Sequence, residues 1–344
     1  MTTNHGAKIF QIPLNGMEDF WVFAYLVAVD EMLVLIDTGT NYYNSNEDLN
    51  GGLTFAGEQL GRTLNYSDLT HIFITHGHID HYAGLAYVSP KTQALVGVHD
   101  YDYPILANYH ERKEIVVRKL EHFLVEAGVK PERIPEILTM YMITKGLFQS
   151  SRVDFTYGVI GMKVGPFEFL HVPGHSAGAV AIRLHDVLFV GDHVLSEITP
   201  HQAPESLTLN TGLTHYLDSL RTLVNWAGQP ALVLGGHNSP ITNLRSRVSE
   251  IIEEHYDRLI KILDLVQDQS RTVLEISKIL FGQVAGYNIL LALEEAGAHI
   301  EFLYRLGFLS VENIEEVKKS TQPVTLNYRC LRKKEELERV FPKL

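Results

Sequence analysis

The segment 75–81, THGHIDH, places four side chains able to bind metal within six residues. The chain has 17 histidines in 344 residues, so the odds of a chance occurrence are on the order of 10⁻³. Residues two apart in an extended loop point the same way, so His76 and His78 can bind one ion through their imidazole nitrogens. Asp80 and His81 would then face a neighbouring ion about 3.5 to 4 Å away, the separation of hydrolytic two-metal sites.

Four ligands from one loop leave two ions incompletely coordinated, so other strand ends must supply the rest. The candidates are His175, Asp192 and His237, each of which follows an apolar run and a glycine. Glycine lets the backbone turn sharply and approach a crowded metal centre closely. We therefore predict two adjacent metal ions held by seven residues, namely His76, His78, Asp80, His81, His175, Asp192 and His237.

Short apolar runs rich in β-branched and aromatic residues predict strands in two groups. The first group comprises residues 8–13, 21–29, 32–36, 69–74 and 94–99, and the second comprises 162–164, 167–172, 179–184, 187–190 and 231–234. Helical spacing of apolar residues predicts helices at 53–64 and 213–226. This order indicates an α/β fold in which two sheets lie face to face with helices on both flanks.

Two regions have the apolar spacing of helices. Residues 101–149 are predicted to be a helical insertion. After Asn243, predicted helices at 246–266, 272–281 and 288–306 precede a short strand at 324–328, which is the order of a winged helix. We predict a catalytic domain at 1–243 and a C-terminal domain at 244–344.

The composition limits the chemistry and the partners. The single cysteine, Cys330, excludes an intrachain disulfide and a metal site built on several thiolates. No apolar run is long enough for a membrane helix and the N-terminus lacks the core of a signal peptide, so we expect a cytoplasmic protein with no membrane partner. The net charge of −12 lies mainly before Arg245, and an acidic surface disfavours a nucleic-acid partner without excluding it.

Residues 8–242 resemble the metallo-β-lactamase fold superfamily through Asp37, the 76–81 segment and the three ligand candidates that follow strands. The resemblance implies an αββα sandwich. It places His76, His78 and His175 on a first ion and Asp80, His81 and His237 on a second. Asp192 would bridge the two ions, and Asp37 would steady the ligand loop through hydrogen bonds.

The tail resembles the winged-helix appendage of the lactamase-beta-2-like branch of this superfamily. The matching residues are His255, Arg258, Thr272, 275–276 and 303–309. Winged helices also form dimer interfaces, so a homodimer is a further expectation. Whether this domain contacts nucleic acid, substrate or another subunit stays open.

Two divalent ions that share a water lower its pKa toward neutrality, so the expected nucleophile is a bridging hydroxide that Asp80 orients. The ligand set suits Zn²⁺ best and also accepts iron or manganese. The expected substrate is a small ester, thioester or lactone. The resemblance also implies that the chain does not hydrolyse antibiotics. True β-lactamases of the superfamily generally lack a bridging carboxylate and several use a cysteine ligand, whereas this chain has Asp192 and no cysteine near the motifs.

Two alternatives remain open. One is a phosphodiesterase or endoribonuclease of the same fold, favoured by the winged-helix resemblance. The other is a non-hydrolytic member, either an iron redox protein or a DNA-binding module. Ordinary structural roles are expected for six other histidines, namely His71, His99, His185, His193, His201 and His215. Among these, His193 and His201 are the strongest candidates for a functional role.

Overall fold

The computed structural model describes residues 1–17, 20–146, 148–341 and 344. The strands are β1 (Lys8–Met17), β2 (Phe20–Val29), β3 (Met32–Ile36), β4 (His71–Phe73), β5 (Leu95–Val98), β6 (Phe155–Thr156), β7 (Lys163–Val164), β8 (Phe167–His171), β9 (Val180–Leu184), β10 (Val187–Gly191), β11 (Leu232–Gly235), β12 (Leu309–Val311) and β13 (Tyr328–Cys330). The helices are α1 (Ser45–Leu60), α2 (Ile79–Tyr82), α3 (Leu85–Val88), α4 (Tyr103–Ala107), α5 (Tyr109–Glu126), α6 (Ile134–Gly146), α7 (Leu213–Ala227), α8 (Leu244–Leu265), α9 (Val273–Phe281), α10 (Asn288–Arg305) and α11 (Ile314–Lys319).

Two sheets carry the strands of the N-terminal 240 residues. The first has the order β1-β2-β3-β4-β5-β6, antiparallel from β1 to β3 and parallel from β3 to β6. The second has the order β11-β10-β9-β8-β7, in which β10 and β11 run parallel and the other pairs run antiparallel. Parallel neighbours end at the same edge of a sheet, so the loops after β3 and β4, and those after β10 and β11, emerge side by side.

Apolar side chains from both sheets form one shared core. Phe73 on β4 is fully buried, and its ring centroid lies 5.2 Å from those of both Phe167 and Phe169 on β8. On the outer face of the first sheet, Leu49 and Leu53 of α1 are buried in a second apolar cluster. These layers confirm the predicted mixed α/β fold.

The helix predicted at 53–64 begins eight residues earlier, at Ser45. Glu47 and Asp48 in its first turn favour this start because acidic groups complement the positive end of a helix dipole. The helix ends at Gly61, whose φ of 69° lies in the left-handed region.

The chain divides into two compact units, and each is described here by itself. Unit 1 comprises residues 1–112, 148–200 and 219–247 and holds both large sheets. Unit 2 comprises residues 113–147, 201–218 and 248–344, so most of the predicted helical insertion groups with the C-terminal part. The division at residues 243 and 244 stays a prediction.

Unit 2 contains most of α8, all of α9 and α10, and a two-stranded antiparallel sheet of β12 and β13. The strand predicted at 324–328 was placed too early, because the paired residues are Tyr328–Cys330, opposite Leu309–Val311. Thr272 and Glu275 form a reciprocal capping box that starts α9.

A buried polar network links α8 and α10 in unit 2. The Nδ1 atom of His255 lies 3.0 Å from Nε2 of His299, and Nδ1 of His299 donates to the carbonyl of Glu295. The Arg258 guanidinium donates to the Glu295 carboxylate at 3.2 Å. Burial lowers the pKa of His299 to about 3, which keeps its ring neutral at ordinary pH. These contacts give His255 and Arg258 a role in the packing of α8 against α10.

No helix within the described ranges combines the length and the apolar character needed to cross a bilayer.

Candidate metal centre

Every predicted ligand lies in unit 1, shortly after the C-terminal end of a strand. The 76–81 segment follows β4 and runs into α2, where His78 is the N-cap residue. His175 follows β8, Asp192 follows β10 and His237 follows β11. The parallel pairing of β10 with β11, in which Gly191 lies opposite Gly235, sets Asp192 and His237 at one sheet edge.

The structure brings the seven residues together in two groups. Ligand atoms of His76, His78 and His175 lie within 4.8 Å of one another, and so do those of the second group, which is Asp80, His81, Asp192 and His237. Asp192 lies between the groups, since its Oδ2 atom is 3.2 Å from Nε2 of His237 and 3.8 Å from Nε2 of His175. The carboxylate therefore lies within reach of both groups of ligand atoms.

Asp37 organises the ligand loop from a fully buried position after β3. Its Oδ1 accepts the Thr75 N–H at 2.8 Å, and its Oδ2 accepts the Thr75 hydroxyl at 2.7 Å and Nδ1 of His81 at 2.8 Å. The Thr75 oxygen in turn lies 3.1 Å from Nδ1 of His76. Because these contacts place the protons on Nδ1, the Nε2 lone pairs of His76 and His81 point into the site.

His237 also carries its proton on Nδ1, but its hydrogen-bond partner is a backbone carbonyl. Its Nδ1 atom lies 2.6 Å from the backbone carbonyl of Trp21 and donates to it. A buried histidine whose second nitrogen is bound to a carboxylate or a carbonyl is the usual arrangement of metal-ligating histidine. Sequence reasoning missed Thr75 and Trp21, because neither a hydroxyl that relays a hydrogen bond nor a backbone carbonyl has a signature in the residue pattern.

The electrostatics of the cluster favour a bound cation. Burial alone would lower the pKa of His237, but the carboxylates of Asp192 and Asp80 raise it to about 10. His81 behaves likewise, with burial opposing and Asp192 and Asp80 raising its pKa well above the ordinary value. The carboxylates of Asp80 and Asp192 thus favour positive charge in one small volume. A metal ion that bound there would displace the protons of His81 and His237.

The candidate ligand atoms of the site fit a pair of divalent cations. Nε2 of His76 is buried and makes no hydrogen bond to any described residue. Its lone pair would be costly to bury without a partner. Imidazole nitrogens and carboxylates in this proportion are the donors that zinc, iron and manganese accept.

Close packing explains one glycine at the site. A Cβ atom on Gly236 would lie 2.3 Å from Oδ1 of Asp192 and 2.4 Å from Cε1 of His81. Any side chain at this position would clash with Asp192 and His81, so only glycine fits directly before His237.

We expect Asp37→Asn to weaken metal binding about 10- to 100-fold, the usual effect of losing a partner that orients a ligand. Asn keeps the size of the side chain and tolerates the left-handed backbone of residue 37, whose φ is 59°. Asp37 accepts hydrogen bonds at both oxygens, so in either orientation the NH2 group of asparagine would face a donor from Thr75 or His81. Competition with a chromogenic chelator measures the change. Asp30→Asn, in an exposed turn with a φ of 49°, is the matched control and should leave the affinity unchanged.

The other histidines lie outside these groups of ligand atoms. His193 is buried beside Asp192, and burial lowers its pKa to about 3. His201 belongs to unit 2, where its Nε2 lies 3.1 Å from the carbonyl of Leu291. Asp102 was not considered in the sequence, although it follows the predicted strand 94–99 as the ligands follow theirs.

The two facing sheets, with the clustered histidines and carboxylates at the strand ends, define an α/β protein with a candidate metal centre. The family model of the metallo-beta-lactamase superfamily matches residues 19–265. The chain belongs to this superfamily, whose members are typically metal-dependent hydrolases.

Solved structures share this fold along nearly the whole chain. A metallo-beta-lactamase family protein from Thermus thermophilus aligns with a TM-score of 0.71 and 22% identity, covering 94% of this chain and 98% of that one. A beta-lactamase domain protein from Burkholderia ambifaria aligns with a TM-score of 0.71 and 18% identity, covering 96% and 94% respectively. No curated protein matches the sequence significantly.

Proposed function

We propose that this protein is a hydrolase that uses two divalent metal ions, most suitably zinc, to cleave a small ester, thioester or lactone. The observation that carries the proposal is the position of Asp192, whose carboxylate faces both His237 and His175 at 3.2 and 3.8 Å. A shared carboxylate between two sets of histidines is the arrangement that holds two ions close together.

In this proposal, the first ion takes His76, His78 and His175, and the second takes Asp80, His81 and His237, with Asp192 shared. The two ions, when bound, lower the pKa of a shared water and polarise the oxygen of the attacked group. Asp80 would orient the shared water and take its proton, since its side chain is partly exposed and lies among the second group of ligand atoms. Burial would raise the pKa of Asp80, but the charges of His81 and His237 outweigh that effect and lower it, so the carboxylate is ionised in the metal-free site.

The acidic N-terminal part favours a small substrate over a polyphosphate. A phosphodiesterase or endoribonuclease is the second candidate. The three helices α8, α9 and α10 with the β12–β13 ribbon favour it, because they have the element order of a winged helix. We propose that residues 244–344 form this winged helix and that the protein is cytoplasmic, with a homodimer as its further expected assembly.

Loading the purified protein with zinc, manganese or iron in turn, and assaying each form on four substrates, tests the proposal. The substrates are a generic thioester, a lactone, bis-p-nitrophenyl phosphate and single-stranded RNA. We expect turnover of the thioester or the lactone to exceed that of the two phosphodiesters. Faster cleavage of either phosphodiester would favour the second candidate. A metal-loaded protein inactive on all four that binds duplex DNA with a steep salt dependence would indicate a DNA-binding module.

A further inference from the structure

Asp102 is a fully buried carboxylate that lies between β5 and α4. Its Oδ2 atom accepts the backbone N–H of Gly77 and the hydroxyl of Ser176, both at 2.6 Å. Its Oδ1 atom accepts the backbone N–H of Gly178 at 2.9 Å. The carboxylate is therefore bound by three donors from two loops that are distant in sequence.

Those two loops carry the three histidines of the first group. Gly77 lies between His76 and His78, and Ser176 directly follows His175. The rings of His78 and His175 are 4.4 Å apart, centroid to centroid, so a small shift of either loop changes the spacing of their nitrogens. We infer that Asp102 is a positioning residue that holds the His76–His78 loop and the His175 loop at the separation one metal ion requires.

Packing shows that the contact is direct and built into both loops. A Cβ atom on Gly178 would lie 2.6 Å from Cγ of Asp102, and one on Gly77 would lie 3.1 Å from the same atom. The backbone of each loop therefore rests on the carboxylate itself. Only residues without a side chain allow this approach at Gly178.

The usual local role of an aspartate at this position is absent. Asp102 is the N-cap residue of α4, where a carboxylate ordinarily accepts an N–H of its own helix. Its side chain makes no such bond and is directed instead to the two ligand loops. Helix capping thus does not account for the residue.

The two buried carboxylates reach different parts of the ligand loop. Asp37 binds His81 of the second group and, through Thr75, also orients His76 of the first group, whereas Asp102 binds the backbone around the first group. The inference rests on the proposed metal centre and adds that Asp102 acts on the first ion. Removing the Asp102 carboxylate should therefore affect one ion selectively.

The test is the release of metal from the full-length protein to a chromogenic chelator, followed together with the visible spectrum of the Co²⁺-substituted protein. In Asp102→Asn, the amide nitrogen faces at least one N–H or O–H donor. We expect one ion to leave about 10- to 100-fold faster than in the wild type, with a changed Co²⁺ spectrum, while the other ion leaves at the wild-type rate. The faster phase of metal release should be the phase that is absent from His175→Ala.

Asp100→Asn is the matched control, because Asp100 lies in the same loop but binds Thr156 and Gly158. If Asp102→Asn released both ions at wild-type rates, or both faster by one factor, the inference would be overturned. If that variant did not fold, Ser176→Ala should show the same selective change more weakly, and wild-type behaviour there would overturn it too. A wild-type protein that bound no metal would overturn the proposed function itself, a result distinct from unchanged release in the variant.

Discussion

Replacing Asp192 with asparagine is expected to lower the hydrolytic kcat/KM about 10³-fold or more and to remove at least one metal ion from each chain. The carboxylate faces both ligand groups, so its loss removes the negative charge that would hold two cations together in the proposed centre. Metal-assisted stabilisation of the transition state contributes several kcal/mol, and each 1.36 kcal/mol corresponds to about a tenfold change in rate. Metal analysis after gel filtration and steady-state kinetics measure the two effects.

Asp186→Asn is the control for this variant. Asp186 precedes β10 whereas Asp192 follows it, so the same chemical change is made at the opposite end of one strand. The Asp186 carboxylate accepts an exposed backbone N–H of Asn4, and the variant should keep wild-type metal content and activity. An Asp192→Asn protein that retained two ions and full turnover would contradict the proposed shared ligand.

Replacing Phe73 with alanine is expected to lower the free energy of unfolding by about 3 to 5 kcal/mol, the usual cost of removing a large ring from a core. The side chain is fully buried between the sheets, where its centroid lies 5.2 Å from each of Phe167 and Phe169 and 6.2 Å from Tyr157. Urea titration of the metal-free protein, followed by tryptophan fluorescence, measures the loss.

Phe55→Ala is the comparison for the core variant. Phe55 is 55% exposed on α1, and its removal should cost less than about 1 kcal/mol. Equal losses in the two variants would show that the rings between the sheets do not dominate the stability of unit 1. Chelator in the buffer keeps metal binding out of the comparison, because a ligand that binds the folded state would raise its apparent stability.

Much of the ligand set was accessible from the sequence because its signals are local. Four ligand-type residues within one loop are improbable by chance, and His175, Asp192 and His237 each follow a strand and a glycine. The parallel pairing of β10 with β11 then brings the loops of Asp192 and His237 to one edge of the second sheet. The structure places the seven side chains in two groups, although their role as ligands remains a prediction.

The remainder of the site depends on contacts that local patterns do not encode. Asp102 contacts Gly77 and Gly178 across 25 and 76 positions of sequence, and only the packed fold shows that these loops meet. The early start of α1 at Ser45 was missed because polar residues fill its first turn, where apolar spacing gives no signal. The strand at Tyr328–Cys330 was displaced because its limits are set by pairing with Leu309–Val311.

The seven side chains are spread along the chain, so the ribosome synthesises them at different times. His81 leaves the ribosome long before His237, and translation at about 5 to 20 residues per second separates them by roughly 10 to 30 s. During that interval, the nascent polypeptide displays a histidine-rich loop whose partners do not yet exist. In the proposed centre, the full set of seven ligands therefore exists only after translation has passed residue 237 and β11 has formed.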